Sequence, residues 1–491
     1  MNIKHIWRFC FLMTIGALFL VLMPHWGMTF TNPDDPVIAQ MGYSKGILQG
    51  SIENARVQGR FWLIPILSIA QLPHLLDSWI FVNSLKIIVN GLVFLSFILF
   101  CTKLTNKFTG ILIGMIWLAL IDINSSDFSP IHGYLLMFNL QFLILFLSFY
   151  LFLVKLENPS NSSQIVMPYL LFAFSLLAYE PMLFYSFVFP ALYLYQRKKT
   201  DGSNYKPNLL IHTKKFLAQN LTLVAVVLLY IILYFSFRKL YATSTRGIDS
   251  FGNLYDVIRT IFNFSIHGLH VLAKPFSVYI LNLNTPTNIF LAVTFAGLLL
   301  LGMALIIPRI ENNLSPSYLY NKSSLLILGF FIFSPNILFG FVETYRRWAS
   351  SDPHYVGNYF SSFPLAMAIT LFVLYLVGGQ KSKHEKALFF IILYVFFFSA
   401  SDNYLRWSQL ADTNREASIL WNKAIISLKQ HPFDPNKQSS ICTNNAPKTH
   451  ITGNDKYWSQ YLSKELSRNI IYESNRTSNN SCDVTLEFNK I

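Results

Sequence analysis

The sequence predicts an all-α protein that passes many times through a membrane, and three observations carry that expectation. Of its 491 residues, 53% are hydrophobic and only 13% charged, too little polar surface to cover a soluble fold of this length. The apolar residues fall in long runs, several of them long enough to cross ~30 Å of hydrocarbon. Polar residues gather in the connections between those runs and in the tail from Ser401 onward.

Taken in order, the runs lie at 6–23, 79–101, 108–121, 133–154, 164–178, 182–196, 216–237, 288–307, 325–341, 360–377 and 387–400, which makes about eleven spans. The first follows Lys4 and ends at Pro24-His25-Trp26 with no small-residue cleavage pattern, so it reads as a retained anchor with its N-terminus inside. Alternating from there, the inner segments collect Lys103, Lys107, Lys155, Arg197, Lys198, Lys199, Lys214, Lys215, Lys381, Lys383 and Lys386, the bias expected of cytoplasmic loops. That bias accounts for a net charge of +14 and sets nucleic acid aside as a partner. The expected organisation is a transmembrane domain over 1–400, with 24–78 as its first periplasmic loop, and a periplasmic C-terminal domain over 401–491. The location is a bacterial inner membrane, multi-pass, with the C-terminus outside. No internal repeat and no phosphate-cradling glycine loop occurs, which argues against a pump driven by ATP.

The outward loops are therefore where chemistry is sought. The first opens on Thr31-Asn32-Pro33-Asp34-Asp35-Pro36, two carboxylates held between prolines at the membrane surface. Either can take a proton from an acceptor hydroxyl or help hold a divalent cation against a phosphate leaving group. Equally, Asp35 can simply cap the helix that follows. From 37 to 58, Ile38, Met41, Leu48, Ile52 and Ala55 recur at helical spacing while Gln40, Lys45, Glu53 and Arg56 lie elsewhere on the wheel, the pattern of an interfacial helix. It leads into Gln58-Gly59-Arg60-Phe61-Trp62. Arg60, with Arg56 before it, can clamp a phosphate or anchor at the interface. The stretch 61–71 is too short to span and runs along or dips into the surface.

An N-terminal span followed at once by an acidic pair and a surface helix resembles the opening of GT-C glycosyltransferases, multispan enzymes that take sugar from a polyprenyl-phosphate donor. Asp34-Asp35 followed by Gln58-Gly59-Arg60 looks most like the O-antigen glucosyltransferases of serotype-conversion clusters. The resemblance covers about the first sixty residues. It implies a GT-C-like fold, a catalytic acid at Asp34 or Asp35, a polyprenyl-phosphate-sugar donor and a polysaccharide or lipid-linked oligosaccharide acceptor. The expected reaction is transfer of a hexosyl unit, glucosyl first among them, at the periplasmic face. Any metal remains unknown, a divalent cation being one option.

Other outward residues join the site list. Glu180 lies in the turn Tyr179-Glu180-Pro181 between two apolar runs. A carboxylate deep in a membrane helix costs roughly 2.5–3.5 kcal/mol, so it serves either as sugar ligand or second acid/base, or sits harmlessly in a wetted turn. Asn83, Lys86 and Asn90 share one helix face, with Lys86 placed for a lipid phosphate, an internal carboxylate or outward snorkelling. The loop Glu343-Thr344-Tyr345-Arg346-Arg347-Trp348, followed by Asp352-Pro353-His354-Tyr355, sets Arg346, Arg347 and His354 among aromatics, suited to a phosphorylated sugar or to an interface belt. His267 and His270 read as ordinary polar positions on a surface helix over 254–272.

In the tail, 413–429 looks helical, and Cys442 and Cys482 can pair in an oxidising compartment. Two further readings stay open. One is an O-antigen polymerase, which would rely on later basic loops such as 238–247. The other is a flippase for a lipid-linked glycan, which would show polar residues deep in several spans.

Overall fold

The structure is a computed structural model that describes residues 3–26, 46–73, 78–121, 136–158, 163–177, 179–201, 209–243, 253–273, 285–311, 322–343, 345–347, 356–378 and 383–434, and in the tail 437–444, 458–459, 462–463, 465–467, 469–474 and 482–488. Asp34, Asp35 and His354 lie outside them, as do the side chains of His267 and His270.

The architecture is almost entirely helical. Fifteen α-helices are described: α1 (Ile3–Leu22), α2 (Ile47–Gln58), α3 (Leu63–Gln71), α4 (Trp79–Leu104), α5 (Lys107–Leu120), α6 (Asn139–Glu157), α7 (Ser163–Ser175), α8 (Val188–Asp201), α9 (Leu209–Gln219), α10 (Leu221–Tyr241), α11 (Leu254–Ala273), α12 (Pro286–Glu311), α13 (Lys322–Gly340), α14 (Val356–Gly378) and α15 (Lys383–Gln430). Among the described residues, six stretches are long and apolar enough to cross a membrane: His5–Leu22, Ile80–Leu104, Asn139–Glu157, Leu221–Tyr241, Pro286–Ile307 and Tyr359–Leu376. Shorter apolar helices run over Lys107–Leu120, Val166–Ser175 and Leu326–Gly340. The chain is a multi-pass helical membrane protein.

Local chemistry sets the starts. The Ser78 hydroxyl accepts the Phe81 N–H at the head of α4, and the Asn106 side chain accepts from Phe108 and Thr109 at the head of α5, satisfying donors that a helix leaves open. The bundle's centre is aromatic. Trp117 stacks on Phe363 with centroids 5.0 Å apart, and Phe97, Phe142 and Phe146 close around the same Phe363 ring at 4.9, 5.0 and 4.8 Å.

Three elements differ from the sequence expectation, each for a physical reason. The expected span over 182–196 is a 3-10 helix, Glu180–Phe187, followed by α8. Pro190 has no N–H to bond a carbonyl four residues back and its ring crowds that carbonyl, so an α-helix must begin close before it. The expected span over 216–237 is broken at Asn220 and shifted to end at Tyr241. There the Asn220 side chain is drawn inward: its Oδ1 accepts from Tyr169 and from Lys155 Nζ (3.4 Å), and its amide donates to the Phe216 carbonyl at 2.6 Å.

The third is the expected pair 387–400 and 413–429, which is one helix, α15, of 48 residues and about 72 Å at 1.5 Å per residue. Its polar middle is held by the bundle. Asn403 donates to the Ile121 carbonyl at 2.7 Å, Trp407 Nε1 to the Val21 carbonyl at 3.1 Å, and Arg415 to the Pro24 carbonyl at 3.3 Å. The end of α15 that follows Asp402 therefore leaves the bundle beside the C-terminal end of α1. The first loop starts there.

Beyond α15, β1 (Ser439–Asn444), β2 (Ile470–Ser474) and β3 (Val484–Glu487) form a parallel sheet ordered β2-β1-β3. The end of α15 covers it through a second core in which Trp421 stacks on Trp458 at 3.8 Å and meets Phe488 at 4.8 Å. The sequence suggested the helix and not the sheet. Cys442 and Cys482 are disulfide-bonded across 40 positions. Replacing both with Ser is expected to lower the unfolding free energy of this region by about 4 kcal/mol, read by thermal melting of the purified protein with intact thiols alkylated. An unchanged melt would show that the bond adds nothing to this core.

Candidate functional site

The site begins at the turn that ends α2. Gly59 adopts φ 65°, and its N–H bonds the Arg56 carbonyl at 3.1 Å while the Arg60 N–H reaches the Ala55 carbonyl at 2.9 Å, the left-handed termination that glycine favours. A Cβ here would stand 2.5 Å from the Ala242 Cβ and 3.2 Å from Arg238 Cγ, because the end of α10 packs on this turn. Gly59→Ala is therefore expected to cost about 2 kcal/mol from the backbone alone, with the collision added. A melting temperature within a degree of wild type would contradict that close approach.

The turn aims Arg60 inward. Its Nε lies 2.9 Å from Glu180 Oε1 at the start of the 3-10 helix, with the two side chains 10% and 12% exposed. The guanidinium sits over the rings of Tyr179 (5.4 Å) and Trp62 (5.7 Å), and its Nη1 donates to Gln58 Oε1 at 3.3 Å. Burial works against its charge, but Glu180, with Tyr179, Tyr345 and Tyr234, outweighs that, so Arg60 holds its proton more tightly than an ordinary arginine. The Tyr179 and Tyr345 hydroxyls are hydrogen-bonded to each other.

This pair closes one side of a cavity of about 110 Å³ between α10 and α13. Its walls are apolar, with Ile231 and Phe235 from α10 and Leu338 and Val342 from α13 and the turn after it. The ion pair and Tyr179, Tyr230, Tyr234 and Tyr345 also belong to its wall, but its exposed surface is almost wholly apolar: the Tyr179 and Tyr345 hydroxyls bond each other and the Tyr230 hydroxyl is buried. Such a surface suits an aliphatic chain. Because Arg60 is answered by Glu180, the cavity interior carries no net charge.

The structure thus unites two sequence candidates 120 positions apart, Arg60 and Glu180. The others stand elsewhere. Arg56 is exposed, its guanidinium 5.4 Å from the Tyr241 ring. Lys86 is 1% exposed on α4 beside buried Asn83 and Asn90, whose amide donates to the Lys86 carbonyl at 2.9 Å. Arg346 Nη1 donates to the Gly340 carbonyl at 3.0 Å, capping α13, while exposed Arg347 pairs with Glu343. Their neighbour Tyr345 reaches the cavity instead. Among the described residues no three His, Cys, Asp or Glu side chains are grouped to hold a metal.

Tyr179, Tyr230, Tyr234 and Arg238 were not singled out from the sequence for this site. A signal was present: Tyr230, Tyr234 and Arg238 recur every four residues in a largely apolar run, one face of a helix.

No family model matches the chain, and no curated protein does. Among solved structures, it is similar to ArnT from Cupriavidus metallidurans bound to undecaprenyl phosphate, at 11% identity and a TM-score of 0.39, over 94% of this chain and 85% of that one. It is also similar to the Archaeoglobus fulgidus oligosaccharyltransferase tethered to an acceptor peptide, at 11% identity and a TM-score of 0.40, over 96% of this chain. The chain spans 64% of that protein's length. Likenesses of this degree carry no argument about chemistry. Fold and site together define a multi-pass helical membrane protein in which a buried arginine–glutamate pair closes an apolar, tyrosine-lined cavity.

Proposed function

We propose that this chain is a GT-C-type membrane glycosyltransferase. It moves a hexosyl unit, glucosyl first among the candidates, from a polyprenyl-phosphate donor to O-antigen or another surface polysaccharide at the periplasmic face of the inner membrane. The observation that carries the reading is the Arg60–Glu180 pair at the edge of an apolar cavity between α10 and α13. A cavity walled almost wholly by apolar side chains beside a buried ion pair suits the aliphatic chain of a lipid-borne sugar. The donor cannot leave the bilayer, so a site built into the bundle supplies proximity that a soluble enzyme would lack. The paired cysteines of the tail suit an oxidising compartment, in keeping with a periplasmic C-terminus.

In this reading Asp34 or Asp35 takes the proton from the acceptor hydroxyl as its oxygen bonds the anomeric carbon. The bond from that carbon to the phosphate oxygen breaks, and the polyprenyl phosphate departs with the electron pair. Glu180 holds sugar hydroxyls or serves as second acid/base. Lys86, Arg346, Arg347 and His354 are further substrate-binding candidates, and a divalent cation would assist by neutralising the leaving phosphate.

The test is expression in a host that supplies the lipid donor, with mass spectrometry of its surface polysaccharide. Added hexose supports the reading. Altered chain length without added hexose would replace it with a polymerase, and no change in either would remove this acceptor class.

A further inference from the structure

Resting on the lipid-linked-donor reading, we infer that Arg238 is the group that anchors the donor's phosphate, while Arg60 is held neutralised inside the cavity. Four observations converge on it. Tyr230 and Tyr234 line the cavity, and Arg238 follows on the same face of α10, about 6 Å along the axis from Tyr234. Its Cγ packs on the turn at Gly59, the residue before Arg60. Its Nη1 is buried and has no hydrogen-bond partner among the described residues. No carboxylate among the described residues pairs with it, whereas Arg60 has Glu180 at 2.9 Å.

The charges therefore divide by position. The interior pair sums to zero, and the surplus positive charge stands at the end of α10 that packs on the turn at Gly59. A buried guanidinium N–H without an acceptor is a costly group that an anionic oxygen would satisfy. Arginine's planar fork suits two oxygens of one phosphate. The neighbouring apolar walls, Ile231 and Phe235 against Leu338 and Val342, suit the first isoprene units attached to such a phosphate. The ligand class is thus an isoprenoid phosphate, with the phosphate on Arg238 and the chain between α10 and α13.

The full-length protein in phosphatidylcholine nanodiscs would be titrated with farnesyl phosphate and, separately, with farnesol, binding being followed by tryptophan fluorescence. Wild type is expected to prefer the phosphate by about tenfold to a hundredfold, the worth of a charge-assisted hydrogen bond. Arg238→Gln should lose that preference while binding farnesol as before, and Arg238→Lys should keep part of it. A wild-type melting temperature for Arg238→Gln, together with its unchanged farnesol affinity, would show that the fold is intact. If Arg238→Gln keeps the preference, the assignment falls and the donor reading stands. If wild type itself shows no preference, the donor reading falls. If inorganic phosphate or added phosphatidylglycerol displaces farnesyl phosphate equally well, the site reads phosphate without the isoprenoid chain and this inference is overturned.

Discussion

Asp34→Asn is expected to lower hexose transfer by about 10²- to 10⁴-fold at unchanged membrane abundance, the usual contribution of a positioned general base. The amide keeps the shape of the carboxylate and cannot take the acceptor's proton, so the loss should appear in turnover rather than in donor binding. Asp35→Asn is the internal control. Asp35 stands directly before Pro36 and the helical pattern that follows, where it can act as a cap, and Asn caps a helix about as well as Asp. Transfer retained in Asp35→Asn and lost in Asp34→Asn would separate base from cap. The reverse result would exchange the two roles, and full transfer in both variants would take the acidic pair out of the chemistry. Both are read by the hexose content of the surface polysaccharide, normalised to protein in the membrane.

Glu180→Leu should be the most damaging single change to stability, at about 3–5 kcal/mol, because it strands the Arg60 charge in a site with little access to water. Arg60→Met alone should behave similarly by stranding the carboxylate. The double variant Arg60→Met with Glu180→Leu removes both charges at once and is expected to regain most of the loss, since apolar residues of similar size replace buried pairs at little or no cost. Transfer should stay absent in the double variant even as its melting temperature recovers. That split distinguishes a pair that serves the substrate from one that only braces the bundle. Recovery of transfer along with stability would assign the pair to bracing alone.

Much of this was legible in the residues. The apolar runs and the cytoplasmic lysines and arginines announce a multi-pass bundle, because hydrocarbon tolerates backbone only in saturated helices and charge only at the edges. Glu180 was legible as a candidate because a carboxylate placed between apolar runs is expensive, and Arg60 because a guanidinium beside aromatics at the membrane surface can clamp a phosphate or anchor there. What the sequence suggested less well were places where side chains answer to distant parts of the chain. The break at Asn220 depends on Lys155 and Tyr169, and the unbroken course of α15 depends on Ile121, Val21 and Pro24 accepting its polar groups. The tail's sheet is three short strands whose parallel pairing is settled only by non-local contacts.

By itself, then, the sequence determined that this chain is a helical membrane protein with its ionisable residues concentrated at the ends of its spans, since the bilayer imposes that through length and hydropathy alone. Only the tertiary structure decided which charges meet. It joined Arg60 to Glu180 through a left-handed turn at Gly59, and ranged Tyr230, Tyr234 and Arg238 along one helix face beside them. The reason is physical: whether an arginine is neutralised or free depends on distances of a few ångströms between segments far apart in the chain, and no local propensity encodes them.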